Sequence, residues 1–117
     1  MANRRLTETN IGHIFELKQL ALFYNYLKNI KFFLALFTSP NCPGCFKLKA
    51  DLNHLLNYYH FPCIVIDIFS FPELAREYQI RSVPTLLFLK EGVIIKSLYG
   101  AISSDKLESE IKEITGL

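Results

Sequence analysis

Short unbroken apolar runs and longer stretches with a period near 3.6 take turns along this chain, the first marking buried strands and the second amphipathic helices. Residues 10–15 read as a weak first strand. Leu20, Phe23, Tyr24 and Leu27 then fall at i, i+3, i+4 and i+7, which predicts a helix over about residues 17–29 with that stripe turned inward. Residues 31–38, "KFFLALFT", have no polar alternation and predict a strand covered on both faces. Helical spacing returns over residues 43–59 through Leu48, Leu52, Leu55, Leu56 and Tyr59. Residues 62–69, "PCIVIDIF", predict another buried strand rich in β-branched side chains. A short helix is expected over residues 72–78, with Pro72 in its first turn. Two apolar strands follow at 85–89 and 93–98, joined by Lys90-Glu91-Gly92 as a three-residue hairpin loop in which the glycine can take a positive φ. Ser103 suits the N-cap of a final helix whose Leu107, Ile111 and Ile114 face the sheet. The order β-α-β-α-β-α-β-β-α implies an α/β fold, a central mixed sheet flanked by helices.

Composition narrows the functional classes. The 117 residues are 50% hydrophobic, enough for a single domain over 1–117 with its core at about 10–115. Thirteen Lys and Arg against eleven Asp and Glu leave a net charge of +2, too weak a field to favour nucleic acid or a membrane surface. The opening "MANRRLTETN" leads into no secretory-type apolar segment, and the longest apolar run, residues 32–37, is far too short to span a bilayer. A cytoplasmic location is therefore the expectation. Three cysteines in a reducing compartment do not form a structural disulfide framework.

Two of those cysteines stand close together in "NCPGCF", residues 41–46, a spacing compatible with redox chemistry, with metal binding and with a plain helix start. The pair follows a buried strand and opens a helix. Cys42 then occupies the N-cap, and Pro43 the first helical position, where its fixed φ fits and its missing N–H costs nothing. The amides of Gly44 and Cys45 point back at the Cys42 sulfur and, with the positive end of the helix dipole, favour the thiolate. Cys45, one turn inside, is placed to form a disulfide once Cys42 has attacked a substrate, so Cys42 attacks and Cys45 resolves. A closed zinc site would need four ligands, and there is no second Cys-x-x-Cys. Cys63, early in a buried strand, reads as an apolar core residue, and His13, His54 and His60 show no ligand spacing. Phe46, Val83 and Tyr99 are candidates for an apolar rim around the cysteines.

With Cys42-Pro43-Gly44-Cys45, "IRSVPTLLFLKEG" (residues 80–92) and "YGAIS" (residues 99–103) in this order, the chain resembles the thioredoxin family over about residues 10–115. The resemblance implies the thioredoxin fold, a cis Val83–Pro84 bond beside the cysteines, and a substrate-binding edge made by Val83, Pro84, Thr85 and Gly100. It also implies pairing of the Val83 backbone with an extended substrate strand. The implied activity is thiol–disulfide exchange on protein disulfides by a monomer needing no bound cofactor, recycled by a flavin-containing thioredoxin reductase. Two other readings stay open: a specialised disulfide oxidase or isomerase, and a redox-inactive adaptor that uses the fold for binding. The chain also departs from the family. Asn41 stands where a tryptophan is common, Leu36 where many thioredoxins keep a buried aspartate, and Val65 near the place of a lysine often found beside it. The dipeptide is Pro-Gly in place of Gly-Pro, which alters the hydrogen bonding of the thiolate and hence the redox potential.

Overall fold

A computed structural model describes residues 13–116. In chain order the elements are β1 (Ile14–Glu16), α1 (Leu20–Asn29), β2 (Phe32–Thr38), α2 (Pro43–Leu55), β3 (Cys63–Asp67), α3 (Pro72–Glu77), β4 (Thr85–Lys90), β5 (Val93–Tyr99) and α4 (Ser104–Thr115). The strands form one mixed sheet in the order β1-β3-β2-β4-β5. β3 runs parallel to both β1 and β2, while β4 is antiparallel to β2 and β5.

The unbroken apolar runs serve two cores at once, because alternate side chains of a strand point to opposite faces. Leu34 and Leu36 of β2, Cys63 and Val65 of β3, and Leu86 and Phe88 of β4 meet Leu48, Leu52, Leu107 and Ile111 from α2 and α4. Phe33, Ala35, Phe37, Ile64, Ile66, Leu87 and Leu89 face the other way, onto Phe23 and Tyr26 of α1 and Leu74 of α3. Edge-to-face ring pairs Phe23–Phe33 and Tyr26–Phe33, with centroids 6.0 and 5.5 Å apart, fill that second layer.

Several boundaries differ from the sequence expectation. The first strand is Ile14–Glu16 among the described residues, and positions 10–12 of the expected strand lie outside them. α1 begins at Leu20, not near 17, because the Leu17 amide donates to the Val65 carbonyl at 2.8 Å and keeps the chain on the sheet. Its inward stripe uses Tyr26 in place of the expected Tyr24, which is exposed and donates its hydroxyl to Glu77 at 2.7 Å. α2 stops at Leu55, although Leu56 and Tyr59 remain buried beyond it. The β4–β5 loop has two residues, not three: Lys90 pairs with Val93, leaving Glu91 and Gly92 at φ 51° and 80°. Positive φ at both central positions is the type I′ hairpin geometry, whose twist matches that of the flanking strands.

Candidate active site

Residues 43–46 begin a helix because the preceding strand stops at Thr38 and Cys42 is extended, with φ −135° and ψ 94°. Pro43 stands at the helix start, and the Cys42 carbonyl accepts the Cys45 and Phe46 amides at 3.0 and 3.2 Å. The Cys42 sulfur takes the place of a capping oxygen, accepting the Cys45 amide at 3.1 Å, one of the two donors expected there. Cys42 and Cys45 are joined as a disulfide, with their Cα atoms 5.2 Å apart. Cys42 is 7% exposed and Cys45 2%, so an approaching sulfur reaches Cys42 more readily.

The fold gathers the remaining sequence-predicted positions around this pair. A Cβ built on Gly44 would lie 3.5 Å from both Pro84 Cδ and Ala101 Cβ, so the cysteine turn, the loop before β4 and the loop after β5 touch at one point. The Val83–Pro84 peptide is cis. The Gly100 amide donates to the Pro84 carbonyl at 2.8 Å, with Gly100 at φ 77°, a conformation costly for other residues. Thr85, 1% exposed, turns its hydroxyl to the Ser82 carbonyl at 2.8 Å and thereby stiffens the loop leading out of Pro84. Phe46 and Tyr99 are 62% and 67% exposed and Val83 is half-buried.

Two of the positions that depart from the family pattern are neighbours in the sheet. Leu36 and Val65 are register partners across β2 and β3, both buried in the core below α2, so these two positions supply no charge there. Cys63 lies in the same layer, fully buried, and burial pushes its thiol well above the ordinary thiol range. Among the described residues no group of three or more His, Cys, Asp or Glu side chains is placed to hold a metal ion. His13, His54 and His60 are exposed, and His54, in the last turn of α2, meets Tyr58 just beyond the helix edge-on at 5.6 Å.

A cleft of about 230 Å³ opens beside Cys45. Glu16, Thr38, Lys49, Val65 and Asp67 line it together with the cysteine. Lys49 is ion-paired with Glu16 across it. The sequence held half of this signal, since Lys49 follows Cys45 by one helical turn. It held nothing that brings Glu16 there.

Comparison with known proteins agrees with this architecture. The family profile described as Thioredoxin matches residues 14–113. A thioredoxin of Chlorobaculum thiosulfatiphilum is 27% identical over 107 residues, covering 90% of this chain and 99% of the relative. The crystal structure of a Schistosoma mansoni thioredoxin superposes with a TM-score of 0.76 at 26% identity, covering 87% of this chain and 95% of that one. An NADPH-dependent thioredoxin reductase 3 of Arabidopsis thaliana is 30% identical over 122 residues, covering 96% of this chain but 22% of that protein. The match to the profile takes in almost all of the described residues, and the chain belongs to the thioredoxin family as a disulfide oxidoreductase of thioredoxin type.

Proposed function

We propose that the protein reduces protein disulfides, with Cys42 as nucleophile and Cys45 as resolving thiol. The single observation that carries this reading is the Cys45 amide donating to the Cys42 sulfur at 3.1 Å at a helix N-terminus. A donor aimed at the sulfur and the positive end of the helix dipole both favour the thiolate, the form that attacks. In the reduced protein the Cys42 thiolate attacks one sulfur of a substrate disulfide and forms a mixed disulfide, and the other substrate sulfur leaves as a thiolate. Cys45 then attacks the Cys42 sulfur, the second substrate thiolate departs, and the Cys42–Cys45 disulfide remains. Two electrons have passed from the cysteine pair to the substrate.

Pro43, Gly44, Val83, Pro84, Thr85 and Gly100 form the docking edge in this reading. An extended substrate segment pairs with the Val83 backbone, and Phe46 and Tyr99 flank it. Their exposure supports that role. We place the protein in the cytoplasm as a monomer, recycled by a thioredoxin reductase without a bound cofactor of its own. The similarity to an NADPH-dependent thioredoxin reductase 3 supports that source of electrons.

Equilibration against graded thiol–disulfide buffers, followed by alkylation and mass analysis, tests the reading. A two-electron transition of Cys42 and Cys45 near the thioredoxin value of about −270 mV supports a reductase, whereas one near the DsbA value of about −120 mV moves the assignment to disulfide formation. Cys42→Ser should abolish turnover of a protein disulfide. Turnover that survives this change overturns the assignment of Cys42, and the lack of any transition leaves the fold as a binding scaffold.

A further inference from the structure

Where many thioredoxins keep a buried aspartate this chain has Leu36, and the layer beneath Cys45 holds Leu36 and Val65. Charge reaches Cys45 from a different direction. Lys49 lies four residues further along α2, which sets the two side chains on one helix face with Cβ atoms about 5–6 Å apart. Glu16, the last residue of β1, ion-pairs with the Lys49 ammonium, and all three side chains line the same cleft.

We propose that Lys49, held over the cleft by Glu16, is a positioning residue that eases ionisation of the Cys45 thiol during resolution by stabilising the thiolate charge. The proposal rests on Cys45 being the resolving thiol. Cys45 is 2% exposed, and such burial opposes formation of a thiolate, so some compensating interaction is needed for resolution at neutral pH. A nearby cation supplies it and a nearby anion opposes it, so Lys49 and Glu16 act on the thiol with opposite signs. The other charged or titratable groups facing the cleft or the layer below are Asp67 and Cys63. The Asp67 carboxylate accepts the Phe69 amide at 2.8 Å and closes the turn after β3, while Cys63 is buried on the sheet.

The step balances without an added reagent. The Cys45 S–H bond breaks and its proton passes to water in the cleft. The thiolate forms the bond to the Cys42 sulfur as the bond from Cys42 to the substrate sulfur breaks, and the departing substrate thiolate takes up a proton from solvent.

The test is the pH midpoint of Cys45 ionisation, followed by the ¹³Cβ shift of labelled cysteine in a Cys42→Ser background so that only one site-cysteine titrates. Lys49→Met should raise the midpoint by about one unit, Glu16→Gln should lower it, and Lys49→Arg should restore it to within a few tenths of a unit. Because Lys49 and Glu16 are 42% and 41% exposed, the Lys49→Met shift should shrink as salt is added. A merely structural ion pair would leave the midpoint unmoved in all three variants, and that result overturns the proposal. So does a midpoint lowered by Lys49→Met, because removing a cation that stabilises the thiolate can only raise it. A failed redox transition of the unmodified Cys42–Cys45 pair would instead overturn the functional reading, and the thiol-buffer titration detects that separately.

Discussion

Three cysteines in one small fold have three different fates, and at the residue scale the surroundings account for each. Cys42 caps a helix and accepts an amide, and Cys45 lies behind it beside a cleft that carries a lysine. Cys63 has neither advantage: it is 0% exposed between Leu34 and Ile14 on the neighbouring strands. Burial raises its thiol first, the Glu16 charge adds to that, and Lys49 opposes it only in part. Iodoacetamide at pH 8 should therefore modify Cys42 in the reduced native protein and leave Cys63 intact until denaturant is added, as peptide mass mapping would show. Labelling of native Cys63 at the rate of Cys42 would contradict this account. The cysteine turn was readable residue by residue because a cap, a proline at the helix start and the amides behind them all lie within one turn of chain. Glu16 was not readable, since the link from β1 to α2 runs through the sheet.

Spacing marked nearly every element, and misjudged those whose ends are set by a neighbour. The β4–β5 hairpin shows this most plainly. A glycine at 92 suggested a three-residue loop, but Lys90 remains paired and both Glu91 and Gly92 adopt positive φ. Glu91 bears the steric cost of the left-handed region, and its amide is engaged by the Lys31 carbonyl at 2.7 Å. Asparagine tolerates that conformation and suits the first position of such a turn, so Glu91→Asn should raise stability by about 1 kcal/mol in urea unfolding, and an unchanged midpoint would refute the assigned strain. Further along the ladder Leu89 pairs with Ile94 but Phe88 pairs with Lys96, so Ile95 is an extra residue. The resulting bulge breaks the alternation of β5 and leaves Val93, Ile94 and Ile95 exposed on an edge strand that composition alone would have put inside.

For the whole molecule, the question is what fastens α4 to the sheet next to the Gly100 loop. Leu107 and Ile111 supply the apolar contact, and Ser103 caps the helix by accepting the Lys106 amide at 3.1 Å. Glu110 adds an ionic clasp, since its carboxylate meets Lys106 of the same helix at 2.9 Å and Lys96 of β5 at 3.3 Å. The hydrogen bond from Lys106 holds the Glu110 carboxyl below its ordinary value of 4.5, helped by Lys96 and opposed by burial. A carboxyl depressed by folding stabilises the native state above its unfolded value, and that contribution disappears as pH falls through the folded value. Glu110→Gln should accordingly lower the urea midpoint at pH 7 and do so much less at pH 3. Equal losses at the two pH values would mean that shape, not charge, is what Glu110 provides.

The sequence by itself determined the order of elements, the two-faced strands, the helix start at Cys42 and Pro43, and the cap at Ser103. Periodicity and capping act within a few residues, so the information is present before any long-range contact forms. Only the tertiary structure decided what surrounds the cysteines. The strand order β1-β3-β2-β4-β5 puts Gly44 against Pro84 and Ala101, and ties Gly100 to the Pro84 carbonyl. It also buries Leu36 against Val65 and carries Glu16 across to Lys49. Such meetings depend on which strands become neighbours and in what register, quantities that no local spacing encodes.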